Sequence, residues 1–256
     1  MRYSSIIVSR DGSNSVITLN RPDKLNALNA AMLNELGGAI SQIAKDKKCR
    51  GAIITGATAR SFCSGADIGY INSLKSEGDA HAFVENVHAI FDSIEDLEKP
   101  AIAAIDGYCF GAGCELAMAC DIRIATKTSV FGQPEVKLGI IPGGGGTYRL
   151  PKLVGSAKAK ELIFTGDYVN ADEALRIGLV NKVTASASLM KEAKAMLSRI
   201  GQNSANAVKN AKHAINAGCK NGSSVEEEAF VRAFSHPDRK EGLDAFLRHR
   251  KPDFKE

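Results

Sequence analysis

Two glutamates stand where solvated carboxylates are rarely found. Glu115 lies in "FGAGCELAMACD" (110–121), enclosed by glycine, small apolar residues and two cysteines. Glu135 lies in "FGQPEVKLGIIPGGGG", behind a proline and ahead of an apolar stretch. A carboxyl drawn out of water can be tuned for proton transfer. Gly111, Ala112 and Gly113 are small, so their backbone can approach a ligand closely. They precede a helix, where the first N–H groups have no partner and attract an oxyanion. The turn "SFCSGADI" (61–68) follows a strand and could bring one more N–H, at Ala66. Two readings of Glu115 follow from its position three residues beyond Ala112. It is a proton-transfer group, or it merely stabilises the helix N-terminus.

Other chemistries fit less well. Four consecutive glycines, Gly143 to Gly146, precede "TYRL". No Lys-Ser/Thr pair follows them, so they are not a nucleotide phosphate loop. The chain holds no G-x-G-x-x-G and no G-x-S-x-G, which argues against a dinucleotide fold and a nucleophile elbow. His81, Glu85 and His88 share a helix face and mimic a metal site. They lie opposite the apolar stripe of Phe83 and Val87 and read as a solvated face, so no metal is expected. Cys63 and Cys114 flank the candidate site without a paired base and read as packing.

The elements that must position these groups follow from periodicity. "SIIVS" and "SVITLN" form two short strands around a "RDGSN" turn. Leu33, Leu36, Ile40 and Ile43 define one helical face, and Phe83, Val87, Ile90, Ile94 and Leu97 another. "GAIITG", "AIAAIDG" and "CDIRIAT" read as strands, and "GLVNKV" (178–183) as the last one. Strands alternate with helices up to about residue 185, which predicts an α/β core. From Ser186 onward the pattern is helical, with stripes such as Leu189, Ala193, Met196 and Ile200, then Phe230 and Phe234. No strand remains for those faces, so they should pack on the core or, largely, on other subunits.

The chain has 256 residues, 44% of them hydrophobic and 24% charged, which suits a globular protein. No apolar run reaches the roughly 20 residues of a membrane helix, and the N-terminus does not read as a signal peptide. The six cysteines show no C-x-x-C spacing. Together these features point to reduced thiols and a cytoplasmic protein without a membrane role. A net charge of +4, with no Lys/Arg run, suits a small polyanion better than nucleic acid.

Nearly the whole chain resembles the crotonase, or enoyl-CoA hydratase/isomerase, family. The resemblance rests on "LNRPDKLNAL", "SFCSGADI", "KPAIAAIDGYCFGAGCELAMACDIRIA", "FGQPEVKLGIIPGGGGTYRLPKLVG", "TGDYVNADEALRIGLVNKV" and "DRKEGLDAFLRHRKPDFKE". It implies an α/β spiral of repeated ββα units over 1–185, carrying the active site, and a helical trimerisation region over 186–256. It also implies a homotrimer, or a homohexamer built from two trimers. The N–H groups of Ala66 and Ala112 would form an oxyanion hole around the thioester carbonyl of an acyl-CoA. Hydratases of the family usually carry glycine at the position of Ala112. Glu115 and Glu135 match their two acid/base glutamates, and Gly143 the glycine beside the catalytic water. CoA contacts would fall on Lys24, Ala27, Ser64, Asp67, Ile68, Phe254 and Lys255, with Asp67 also suited to bracing its loop. No cofactor is implied, since acyl-CoA is the substrate.

Three activities are therefore weighed. The first is an enoyl-CoA hydratase, which run backwards is a 3-hydroxyacyl-CoA dehydratase. The second is an isomerase or lyase using the same enolate. The third is a hydratase-like protein that binds RNA. Paired glutamates favour the first over the second. The third needs a basic stripe, which the sequence does not show.

Overall fold

The computed structural model describes residues 3–58, 60–217, 230–232, 234–250 and 252–254. Strands β1 (Ile6–Asp11) and β2 (Asn14–Leu19) pair as an antiparallel hairpin. A 3₁₀ turn, Pro22–Lys24, leads to α1 (Ala30–Lys45), which the Asn29 side chain caps by accepting from the Met32 N–H. A unit of two strands and a helix then recurs. Its first turn is β3 (Gly51–Gly56), β4 (Ser61–Cys63), α2 (Ile68–Ser73) and α3 (Glu77–Glu95). The second is β5 (Ala101–Ile105), β6 (Tyr108–Phe110) and α4 (Ala112–Ala119). The third is β7 (Ile122–Thr126), β8 (Val130–Gly132), a 3₁₀ turn over Glu135–Leu138, α5 (Gly146–Val154) and α6 (Ser156–Thr165). β9 (Tyr168–Asn170), α7 (Ala171–Arg176), β10 (Lys182–Thr184), α8 (Leu189–Ile200), α9 (Ala205–Ala217) and α10 (Asp238–Leu247) follow.

The first strand of each unit joins a six-stranded sheet of order β1-β2-β3-β5-β7-β10. The second joins a four-stranded sheet of order β4-β6-β8-β9. Successive units pair in parallel in both sheets, so the chain advances as the ββα spiral the resemblance implies. The mostly parallel large sheet is covered on both faces, which is why its strands read as continuous apolar runs. Alternation separates them: Ala101, Ala103 and Ile105 enter the main core, while Ile102 and Ala104 face the other way.

That second face corrects the reading of the helical tail. Leu189, Ala193 and Leu197 of α8 are buried against Val16, Ile53, Ile102, Ala104 and Ile124 of the chain's own sheet, with Met196 and Ile200 at the margin. A sheet has two faces, and the first helices cover only one. The last strand is also displaced. Within "GLVNKV" only Lys182 and Val183 are extended, in β10, whereas Gly178 turns at φ +81°. Leu179 and Val180 are buried from that turn, where the Val180 N–H donates to Ala174 O at 3.1 Å. Burial alone made them look like a strand. Among the described residues no helix is long and apolar enough to cross a membrane.

Candidate active site

The switch from β6 to α4 builds the first wall. Gly111 takes φ +49°, and all eight residues of α4 are buried. A Cβ added at Gly113 would stand 2.3 Å from Cys63 O, so only glycine lets α4 seat against the end of β4. Gly65, at φ +114°, approaches from the other loop, its missing Cβ 3.9 Å from the Ala112 nitrogen. The Ala66 strand bridges to Leu28, with the Leu28 N–H donating to Gly65 O and the Asp67 N–H to Leu28 O, both at 2.8 Å. Neither the Ala66 nor the Ala112 N–H has a backbone acceptor among the described residues. The two turns singled out in the sequence thus bring two unspent donors to one place.

Glu115 follows on the first turn of α4 and is 1% exposed. Its Oε1 accepts from the Gly144 N–H at 2.8 Å and the Gly146 N–H at 2.7 Å. Burial raises its pKa, while those two N–H bonds and the charge of Arg149 pull it back. Glu135 stands across the site, half-buried, with Oε1 2.8 Å from where a Gly111 Cβ would sit. Burial, and next the charge of Glu115, push its pKa up to about 7. With its amide nitrogen turned toward Glu135, Gln133 donates to Oε1 at 3.0 Å and Oε2 at 3.2 Å. Gly143 presents its α-carbon to Val84 of α3, whose Cγ2 is 3.3 Å from a built Cβ.

The remaining predicted positions fall into two groups. Lys24, Ala27, Ser64, Asp67 and Ile68 gather on neighbouring loops. The Ala27 N–H donates to Lys24 O at 2.9 Å and the Ser64 N–H to Leu25 O at 3.1 Å. Asp67 braces its loop: it caps α2 through the Gly69 and Tyr70 N–H groups and pairs with Arg21 at 3.0 Å. Lys24 and Ile68 are exposed. Phe254 instead rests on Gly242 of α10, 3.5 Å from its built Cβ, and Lys255 lies outside the described residues. His81 and Glu85 form an exposed pair at 3.5 Å, and His88 turns away to stack on Tyr148. The Cys63 thiol is pushed up to about 12 by burial, as a packing residue's would be.

The profile of the enoyl-CoA hydratase/isomerase family matches residues 10–256. The chain belongs to that family. It is 46% identical to the short-chain-enoyl-CoA hydratase of Clostridium acetobutylicum, over 98% of this chain and 97% of that one. It is 45% identical to the crotonyl-CoA hydratase of Syntrophomonas wolfei, over 99% of each. The crystal structure of enoyl-CoA hydratase from Bacillus anthracis superposes with a TM-score of 0.92 at 37% identity, over 98% of this chain and 99% of that one.

Sequence reasoning missed four participants. Gly144 and Gly146, next in the run after Gly143, hold the first glutamate. Gln133 flanks the second. Arg149 is 3% exposed, yet nothing in "TYRLPKL" marked it beyond a charge beside buried Leu150.

Proposed function

We propose that this member of the enoyl-CoA hydratase/isomerase family is an enoyl-CoA hydratase acting on short acyl chains. It adds water reversibly to a 2-enoyl-CoA. The observation that carries the reading is the contrast between a buried and a half-buried carboxylate beside two unspent N–H donors. Water attack at C3 drives charge onto the thioester oxygen, giving an enolate. The Ala66 and Ala112 N–H groups receive that oxygen, and such a donor is worth about 10²–10³ in rate. Glu115 is the base toward water, because two N–H bonds favour its ionised form. Glu135, with a pKa near 7, is the proton donor to C2. The two exchange roles when the reaction runs backwards, and they titrate as a pair. Gly143 borders the water. No step as written calls for a cofactor.

Lys24, Ala27, Ser64, Asp67 and Ile68 would hold the CoA moiety, with Phe254 and Lys255 as further CoA contacts. Residues 1–185 would form the catalytic core and 186–256 the oligomerisation region of a homotrimer or homohexamer. Since α8 covers its own sheet, the intersubunit surface would begin beyond it, where Ile215, Phe230 and Leu247 are at least two-thirds exposed. Five described cysteines are free and buried, which supports a cytoplasmic setting.

The test is the absorbance of crotonyl-CoA. Hydration removes the conjugated chromophore and adds the mass of one water. Loss of absorbance with no added water would sink the hydratase reading, as would inertness of the folded protein. Sedimentation should show a trimer or hexamer, and a clean monomer would contradict the assembly.

A further inference from the structure

Arg149 sits in α5, behind the glycine turn and away from the reacting atoms. Its guanidinium is nearly sealed from water and makes polar contacts in three directions. Nη1 donates to Gly144 O at 2.9 Å. Nε donates to Glu95 Oε2 at 2.7 Å, and Nη2 lies 2.5 Å from Asp92 Oδ1 and 2.6 Å from Glu95 Oε2. Asp92 and Glu95 both belong to α3. The ring of Tyr148 lies against the guanidinium carbon at 4.8 Å, and its hydroxyl donates to the same Asp92 Oδ1 at 3.3 Å.

The place where Nη1 lands is informative. The Gly144 carbonyl belongs to the peptide unit between Gly144 and Gly145. The units on either side carry the Gly144 and Gly146 N–H groups, both of which donate to Glu115 Oε1. Arg149 therefore grips the middle unit of three, and the outer two grip the carboxylate. Glycine chains are otherwise free to rotate here: Gly145 adopts φ +104°, a region open mainly to glycine. Arg149 also occupies the space a side chain at Gly145 would need, since a built Cβ falls 2.1 Å from Nη1. A rigid planar fork anchored on α3 thus replaces the stiffness that four glycines lack.

We propose that Arg149 is a positioning residue for the hydration step, clamping the Gly144–Gly145 peptide so that both flanking N–H groups stay aimed at Glu115. This rests on the reading of Glu115 as the base. Packing alone would explain a buried arginine bonded to α3, but it would not require a hydrogen bond to this one carbonyl. Loosening the clamp weakens the two N–H bonds that favour ionised Glu115, and removing the cation acts in the same direction. The acid limb of the pH profile must then move to higher pH.

The experiment compares the full-length wild type with Arg149→Met and Arg149→Lys in crotonyl-CoA hydration, after circular dichroism and sedimentation have matched the folds. Expected for Arg149→Met is a fall in kcat of about 10²-fold, KM within about threefold, and an acid limb displaced upward by about half a pH unit or more. Arg149→Lys keeps the charge without the fork and should move the limb in the same direction by less. A folded Arg149→Met whose acid limb matches wild type overturns the inference, even if kcat falls. Should Arg149→Met not fold, Arg149→Lys decides by the same criterion: a displaced limb supports the clamp and an unmoved one refutes it. If instead wild type hydrates nothing, or Glu115→Gln stays fully active, the underlying assignment has failed.

Discussion

Glu115 and Glu135 are the same residue type placed in opposite mechanical settings. The first projects from a helix whose every residue is buried, and two backbone N–H groups hold one oxygen. The second starts a short 3₁₀ turn at the margin, half-buried, with a side-chain amide as its neighbour. Burial opposes ionisation at both, and it is offset at Glu115 by two N–H donors of the glycine turn and at Glu135 only by its own N–H. The contrast teaches that burial raises both carboxyls while the Gly144 and Gly146 N–H groups pull Glu115 back, which is the asymmetry the proposed division of labour uses, with Glu135 as the proton carrier.

Removing either carboxyl is the most damaging way to break this pair. Glu115→Gln and Glu135→Gln should each lower kcat for crotonyl-CoA hydration by about 10³-fold or more, with the fold retained by circular dichroism. A near wild-type rate in both variants would refute the proposed division of labour.

Adding a methyl beside each carboxyl tests fixed against mobile. A Cβ at Gly144 would meet Glu115 Oε2 at 2.7 Å, and Phe91 and Val87 atoms at 2.9 Å, all deep in the core. Such overpacking costs about 1–3 kcal/mol and must shift the base. A Cβ at Gly111 would meet chiefly Glu135 Oε1, at 2.8 Å, on a side chain at the margin that can swing. Its φ of +49° with ψ −127° is a conformation essentially confined to glycine and adds about 1–3 kcal/mol for any other residue. Gly144→Ala should therefore lose about 10²-fold in kcat and Gly111→Ala about tenfold. The reverse order would mean that Glu135 is the rigid partner.

The sequence displayed one side of this contrast better than the other. The α4 stretch announced itself because a carboxylate among small apolar residues is conspicuous, and the long strands β3, β5 and β7 read directly from their apolar runs. The strands of the second sheet have three residues each, too few for any period to show. β4 and β6 lie in stretches that read as turns, yet they carry the loops that bring Ala66 and Ala112 together. The partners of Glu115 were hidden for another reason. A backbone N–H leaves no trace in residue type, so a glycine run shows that the chain can turn and not what its amides hold. The burial of α8 was missed because local periodicity marks an apolar face without naming what covers it.

A weaker perturbation sharpens the charge assignment. The folded-state pKa of Glu135 is raised to about 7 from an ordinary 4.5. Its protonated form is thus the one the fold prefers. The stability associated with that form is intact below the ordinary value and is lost as pH rises through about 7. Glu135→Gln abolishes the titration. The Tm of the variant relative to wild type should therefore rise between about pH 5 and about pH 8. A constant difference across that window would mean that Glu135 is not perturbed in the free protein.

The smallest expected effect concerns the residue between the two turns. Ala112 is 7% exposed and opens α4, so its N–H faces the site regardless of its side chain. Ala112→Gly keeps that donor and removes only a methyl. Glycine costs at most about 1 kcal/mol in a helix, and less at the first position, where the backbone is only half constrained. Crotonyl-CoA hydration should stay within about tenfold, since a retained oxyanion donor retains its contribution. The methyl's own influence would appear in the acyl chain. Volume freed beside the thioester should raise kcat/KM for branched or longer 2-enoyl-CoA substrates relative to crotonyl-CoA. The measurement is therefore a ratio across chain lengths in one buffer. If the ratio holds and crotonyl-CoA turnover collapses, the alanine methyl is setting the donor's direction. The oxyanion hole would then be as rigidly built as the cradle of Glu115.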